Sequence, residues 1–148
     1  MCYLIKIGFP TLKPPVCLEA LGMQNKQIPD SAITASSYRN NDGKANNGRL
    51  HFLHTSDRAG GWVAKWNHKR NPYFQVHFGS WRKVTRVAIQ GRQDYNQWVK
   101  SFSLSYGYDS MSFQIYKEQG EKKVSKRMTD KILFELLLSS DIKSLVTD

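Results

Sequence analysis

Apolar and polar residues alternate along the middle of the chain with a period of two. In residues 73–78, YFQVHF, the side chains of Phe74, Val76 and Phe78 fall on one face, and residues 84–90 and 101–106 alternate in the same way. This is the period of a β-strand with one buried face. The pattern therefore predicts three strands, with a turn at GSWRK, residues 79–83, between the first two.

A hairpin is predicted at YGYDSMSFQIYK, residues 106–117, because turn-forming residues separate two alternating arms. Short strands with turn signals about every 8 to 12 residues are typical of an antiparallel sandwich or barrel, so the fold class is predicted to be all-β. Seven large apolar residues occupy positions where this pattern requires a core: Trp62, Trp98, Phe74, Val76, Phe78, Phe102 and Leu104.

Two stretches do not show this alternation. Residues 30–61 are rich in Asn, Asp, Ser and Gly, and residues 91–97, GRQDYNQ, join two strands where a two-residue turn would suffice. Loops as long as the first of these usually bind something or are disordered when they occur in a compact domain.

The ends of the chain differ from its middle. Residues 1–16 contain Pro10, Pro14 and Pro15, and are predicted to be a leader or linker without a recognisable signal peptide. Residues 118–148 carry a charged run and then an apolar run, and are predicted to be an unrelated tail, helical or disordered. No run reaches the roughly 20 apolar residues that a transmembrane helix needs.

The net charge of +10 is concentrated in the middle, because residues 17–117 hold 14 Lys and Arg against 6 Asp and Glu, a balance of +8. A basic surface attracts nucleic acid, anionic lipid or sulfated glycan. The aromatic residues fit core positions better than an exposed stacking stripe, which disfavours nucleic acid. A basic intracellular scaffold or nucleic-acid-binding protein stays open as an alternative of another class.

Catalytic and metal-binding motifs are not apparent. The chain has no Gly-x-Ser-x-Gly, no phosphate-binding glycine loop and no His-Glu-x-x-His, so an enzyme is not expected. His51 and His54 have no third ligand nearby in sequence, and Cys2 and Cys17 form no Cys-x-x-Cys. No metal or cofactor is predicted, and nothing indicates a calcium requirement.

Seven stretches in a fixed order resemble the discoidin domain, also called the coagulation factor V/VIII type C domain. The resemblance covers residues 17–117, and its stretches are CLEALGMQNKQIPDSAITASS, GRLHF, GGWVAK, FQVHFG, VTRVAIQGR, WVKSFSLSYGYD and FQIYK. It implies a discoidin-type jelly-roll β-sandwich with three ligand-binding loops at one end. The family's last strands, and the cysteine that pairs with the one at Cys17, have no counterpart in residues 118–148.

By position the three loops would be residues 38–47, 51–61 and 93–97, which we call loop 1, loop 2 and loop 3. Tyrosine, arginine and amide side chains in them match what recognition of a sugar requires, namely apolar stacking with directional hydrogen bonds. The candidate ligand-binding residues are Tyr38, Arg39, Asn40, Asn41, Asp42, His51, His54, Asp57, Arg58, Arg92, Asp94, Tyr95 and Asn96. For Arg92 a structural role in fixing the loop is favoured over ligand contact.

The resemblance implies a non-catalytic extracellular recognition and adhesion module. Polar loops favour cell-surface or matrix glycans and glycoproteins as its partners. An anionic phospholipid surface is the alternative within the family, because Tyr38, Phe52, Leu53 and Tyr95 offer a few apolar loop residues.

Overall fold

The computed structural model describes residues 19–66, 71–109, 111–118, 120–122, 124–126 and 134–147. Cys2, Cys17 and the predicted leader lie outside these residues. Within these residues eight strands follow in chain order: β1 (Ile33–Ala35), β2 (Phe74–Ile89), β3 (Ser101–Gly107), β4 (Gln114–Ile115), β5 (Lys117–Glu118), β6 (Glu121–Lys122), β7 (Val124–Lys126) and β8 (Phe134–Thr147). Three short 3-10 helices occur at Asp30–Ala32, Asn41–Gly43 and Ala45–Gly48.

The main sheet is antiparallel, with the strand order β1-β2-β8-β3-β4 and with β7 also paired to β3. β5 and β6 form a separate two-stranded hairpin. The all-β prediction is confirmed, and so is the predicted hairpin, because Ser105 pairs with Ile115 and Tyr106 with Gln114. None of the helices in the described ranges is long and apolar enough to span a membrane.

The predicted turn at residues 79–83 is wrong, because this segment is an irregularity inside β2 rather than a connection between two strands. The pairing with β8 shifts register between His77 and Arg82, and Gly79 has a φ of +73°, which glycine adopts more readily than other residues. A straight strand would separate Phe78 from Ile89 by roughly 36 Å. Both nevertheless pack against one small cluster, so β2 bends at this bulge.

The prediction of a helical tail is wrong for residues 134–147, which form the fourteen-residue strand β8. The mainly apolar run at residues 132–138 is only seven residues long, a length that fits a strand as well as a helix, and periodicity does not separate the two. Pairing decides the outcome, because β8 lies between β2 and β3 and satisfies backbone groups on the facing edges of both. Ile132 and Leu133, which belonged to the predicted helix, lie outside the described residues.

Among the residues whose burial the structure describes, two buried clusters form the core. Val84, Phe102 and Leu104 make the first, and Ile28, Ile33 and Val76 make the second, with Phe78 packed against both. Of the seven predicted core residues, Val76, Phe102 and Leu104 are buried, whereas Trp62, Phe74 and Phe78 are half-buried. Trp98 is 36% exposed, so the prediction that it is a core residue is wrong. β3 begins only at Ser101, and Trp98 therefore precedes the segment whose alternate side chains face the core.

Arg49 connects the chain before β1 to the end of loop 1. Its guanidinium is almost wholly buried and donates to the carbonyl oxygens of Met23 and Ile28, both at 2.8 Å. It also donates to the carboxylate of Asp30, and this hydrogen bond is the main reason why the pKa of Asp30 lies below its usual range. Because a buried cation needs such partners, Arg49 is a structural residue of the fold.

Candidate functional site

The three loops lie side by side, joined by backbone hydrogen bonds. The amide of Ala59 in loop 2 donates to the carbonyl of Asp42 in loop 1 at 2.8 Å. The amide of Gln93 in loop 3 donates to the carbonyl of Gly60 in loop 2 at 2.9 Å. Because loop 2 is bonded to both neighbours, the three loops form one continuous surface, which we call the loop face.

The side chain of Asn47 links loops 1 and 2 by hydrogen bonds. Its side chain is almost inaccessible, and its Nδ2 donates to the carbonyls of Asp42 at 2.5 Å and Ala59 at 3.0 Å. Its Oδ1 accepts from Arg58 Nε at 3.0 Å and Nη2 at 2.5 Å. The guanidinium of Arg58 also lies 4.5 Å from the centre of the Phe52 ring. Arg58, a predicted ligand-binding residue, is therefore engaged in holding the loops.

Arg92 and Asp94 form a buried ion pair at the base of loop 3. Arg92 Nε donates to Asp94 Oδ1 at 2.7 Å and Nη2 donates to Oδ2 at 2.6 Å, which is the bidentate geometry that strengthens such pairs. Nη1 donates to Gln97 Oε1 at 3.0 Å. The Arg92 hydrogen bonds lower the pKa of Asp94 to about 2. The geometry agrees with the structural role favoured for Arg92 and gives Asp94 the same role.

Gly60 allows loop 2 to approach this ion pair closely. Its amide donates to Asp94 Oδ1 at 2.9 Å. A Cβ at this position would lie 2.7 Å from the same oxygen and 2.9 Å from the Cβ of Gln93. A residue with a side chain would therefore push loops 2 and 3 apart.

The two histidines of loop 2 are fixed through their backbone. The amide of His51 donates to Gln90 Oε1 at 2.8 Å, and that of His54 donates to Gln93 Oε1 at 3.1 Å. Both side chains are exposed, and His51 has a φ of +54°. Across the described ranges no group of three or more His, Cys, Asp or Glu residues is placed to hold a metal ion.

The remaining candidates present their side chains to solvent. Tyr95 is 59% exposed, and the guanidinium of Arg92 lies 4.4 Å from the centre of its ring. Arg39 Nη2 donates to Asp42 Oδ2 at 3.0 Å in a partly exposed ion pair. Asp57 Oδ1 accepts a hydrogen bond from Thr55 Oγ1 at 2.7 Å. The other exposed candidates are Tyr38, Asn40, Asn41 and Asn96.

Asn47 and Gly60 were missed as determinants of the loop face, and Arg49 was missed as a structural residue of the fold beside it. Each resembles an ordinary loop residue in the sequence, and only the contacts made by its side chain or its missing Cβ give it a role. Arg49 and Gly60 lie at the start of two of the matched stretches, GRLHF and GGWVAK, and that position was the one available signal.

Sequence comparison identifies the family. The family model of the F5/8 type C domain matches residues 32–135. Lactadherin of Rattus norvegicus is 35% identical over 113 residues, covering 73% of this chain and 26% of that protein. The chain belongs to the F5/8 type C domain family, and it spans about a quarter of the length of this relative. The domain boundaries predicted at residues 17 and 117 stay predictions.

Solved structures show the same fold. Discoidin II of Dictyostelium discoideum superposes with a TM-score of 0.68 at 20% identity, covering 78% of this chain and 47% of that one. The family 32 CBM from C. perfringens NanJ, in complex with galactose, superposes with a TM-score of 0.59 at 16% identity, covering 81% and 83%. The discoidin-type fold class is thereby confirmed.

Proposed function

We propose that this chain is a non-catalytic recognition module that binds glycans or glycoproteins of the cell surface or matrix through the loop face. The observation that carries the proposal is the union of the three loops into one surface that exposes tyrosine rings beside amide side chains. Sugar rings are recognised by stacking of their apolar face and by directional hydrogen bonds to their hydroxyl groups. The loop face offers both.

Tyr95 is the best-prepared stacking residue. The Arg92 guanidinium lies over one face of its ring, and Arg92 is itself fixed by Asp94 and Gln97. Because that face is covered while the residue remains 59% exposed, the opposite face and the edge of the ring are open to a ligand. A ring held in this manner loses little conformational entropy on binding.

The galactose complex of the related CBM fold gives the first ligand class to test. We expect the 148-residue chain to be retained on immobilised galactose or to bind glycans on an array, and Tyr95→Ala to weaken that binding by about tenfold or more, which one lost stacking contact explains. Tyr38→Ala and Arg39→Ala should also weaken it. Tyr108→Ala is the matched control, because Tyr108 is 50% exposed, close to the 59% of Tyr95, but follows β3 instead of preceding it.

Binding that is unchanged in Tyr95→Ala and Tyr38→Ala, or lost equally in Tyr108→Ala, would contradict the proposal. Retention on DNA alone, with a steep loss at higher salt, would instead favour the basic nucleic-acid-binding alternative.

An anionic phospholipid surface is the second candidate for the loop face, because Leu53 is 68% exposed in loop 2. A large apolar side chain held in solvent is suited to entering the lipid headgroup region. Leu53→Ser should then reduce binding to phosphatidylserine vesicles and leave glycan binding intact.

A further inference from the structure

The carboxylates of the loop face are engaged by groups of the loop face itself. Asp94 accepts two hydrogen bonds from the guanidinium of Arg92. Asp42 Oδ2 accepts from Arg39 Nη2 at 3.0 Å, and Asp42 Oδ1 is inaccessible to solvent. Asp57 Oδ1 accepts from a threonine hydroxyl at 2.7 Å. The acidic side chains of the three loops are therefore largely occupied before any ligand arrives.

Three basic side chains of the same surface are not engaged in this way. Lys44 in loop 1 and both His51 and His54 in loop 2 are exposed. In the part of the chain that the structure describes, their side chains make no hydrogen bond or ion pair. A ligand can reach them without breaking an internal contact, so the free charge of the loop face suits a ligand that carries a negative group.

The net charge of the loop face depends on its two histidines. The cations of the loops are Arg39, Lys44, Arg58 and, at the base of loop 3, Arg92, and the anions are Asp42, Asp57 and Asp94, a balance of +1. Protonation of both histidines raises this balance to +3. Histidine is the side chain type whose charge ordinarily changes between about pH 5 and 8.

Two of the carboxylates keep their charge over that range. The hydrogen bonds from Arg92 lower the pKa of Asp94 to about 2, and the hydrogen bond from a threonine hydroxyl lowers the pKa of Asp57. Mild acid therefore adds positive charge at His51 and His54 without discharging these two acidic residues.

The backbone holds both histidines in place. The amide of His51 donates to Gln90 Oε1 directly after β2, and the amide of His54 donates to Gln93 Oε1 in loop 3. The two residues are three positions apart, so their Cα atoms are at most roughly 11 Å from one another. Because these anchors do not use the imidazole rings, protonation changes the charge of loop 2 without removing the hydrogen bonds that hold it.

We propose that the loop face selects glycans that carry a carboxylate or sulfate group, and that it binds them more tightly as the pH falls, because His51 and His54 become cationic. Both nitrogens of a protonated imidazole donate hydrogen bonds, and such bonds to an anion are charge-assisted. The inference rests on the proposed glycan-binding function and adds to it the charge of the ligand and a response to pH.

The test measures binding of the 148-residue chain to galactose, galacturonic acid and galactose 6-sulfate, immobilised at equal density, at about pH 7.5 and about pH 5.5. The three sugars share one ring and differ in the group at C6. A sugar carboxylate stays charged at the lower pH, since ordinary carboxyl groups titrate near pH 4. We expect the anionic sugars to bind about fivefold tighter at the lower pH, and galactose to change by less than about twofold.

Three variants assign the pH response to residues. His51→Asn combined with His54→Gln should remove most of the response, because neither replacement titrates, and asparagine tolerates the positive φ of residue 51. His54→Lys should bind the anionic sugars more tightly than the parent chain at the higher pH and respond less to pH. His77→Gln is the matched control, because His77 lies within β2, and it should keep the response.

Thermal unfolding at both pH values shows whether each variant is folded, and His54→Lys keeps the test informative if the double variant is not. A pH response with either anionic sugar supports the proposal and identifies the group that is recognised. Binding of all three sugars without a pH response would overturn this inference and leave the glycan-binding module standing. Binding of none of them at either pH would overturn the proposed function as well. A response that persists in the double variant and is lost in His77→Gln would overturn the role of loop 2.

Discussion

Two arginine–aspartate pairs in the loop face contain the same residue types and differ in what surrounds them. The side chains of Arg92 and Asp94 are 7% and 11% exposed, and Gln97 and Gly60 complete their hydrogen bonds. The side chains of Arg39 and Asp42 are 40% and 36% exposed and share one hydrogen bond of 3.0 Å. Burial and the number of partners, rather than residue type, separate a pair that shapes a loop from one that a ligand can reach.

Loss of the buried arginine should have the largest effect. Arg92→Ala leaves the Asp94 carboxylate buried without its partner, which typically costs about 3 to 5 kcal/mol in the free energy of unfolding. Chemical denaturation of the variant measures this cost. Replacing both residues with apolar ones should recover part of it, and a variant as stable as the parent chain would mean that the pair contributes nothing.

Gly60→Ala tests the same pair from the side of loop 2. The new methyl group would lie 2.7 Å from Asp94 Oδ1, so we expect a loss of up to about 3 kcal/mol in the free energy of unfolding. Gly61→Ala is the matched control, since its Cβ would meet Arg92 atoms only at 3.5 Å and beyond. Equal stability of the two variants would show that loops 2 and 3 are not held in close contact.

Acid should weaken the buried pair. The pKa of Asp94 is about 2 in the folded chain and 3.8 in its unperturbed state, so its contribution is complete above about pH 4 and is lost as the pH falls through about 2. The lowered pKa corresponds to about 2 kcal/mol. Unfolding free energies measured along this pH range should fall less steeply in Asp94→Asn, and equal slopes in the two proteins would contradict the assignment.

Arg39→Ala should have the smallest effect on stability. Exposed ion pairs contribute little, so the free energy of unfolding should change by less than about 0.5 kcal/mol. Glycan binding should nevertheless weaken, because Arg39 belongs to the proposed ligand surface. Thermal unfolding and array binding of one protein preparation separate these two results. A large loss of stability would place Arg39 with Arg92 as a structural residue.

The sequence predicted the fold where one interaction dominates. Alternation identified the strands containing Val76 and Leu104, because a half-buried strand places every second side chain in the core. The sequence pattern was wrong for the burial of Trp98, which the loop before β3 leaves exposed. It was also wrong for the secondary structure of residues 134–147, which pairing with neighbouring strands makes a strand. Both depend on contacts between residues that are distant in sequence.

The candidate site was predictable in its location but not in its internal bonding. The family resemblance predicted three loops, and the structure brings them together. It did not predict that Arg58 and Asp94 would be engaged within the loops. Arg58 bonds to Asn47 in loop 1, and Asp94 bonds both to Arg92, close by in sequence, and to the amide of Gly60 in loop 2. Tyr95 was predicted as a contact residue and is exposed.

The place of β8 in the sheet has a consequence for biosynthesis. On a ribosome β2 and β3 emerge well before β8, although β8 separates them in the finished sheet. The edges of β2 and β3 that later bond to β8 are then unpaired, and unpaired strand edges are prone to pair with other chains. We therefore expect a nascent chain to need chaperone protection until the residues of β8 have left the exit tunnel.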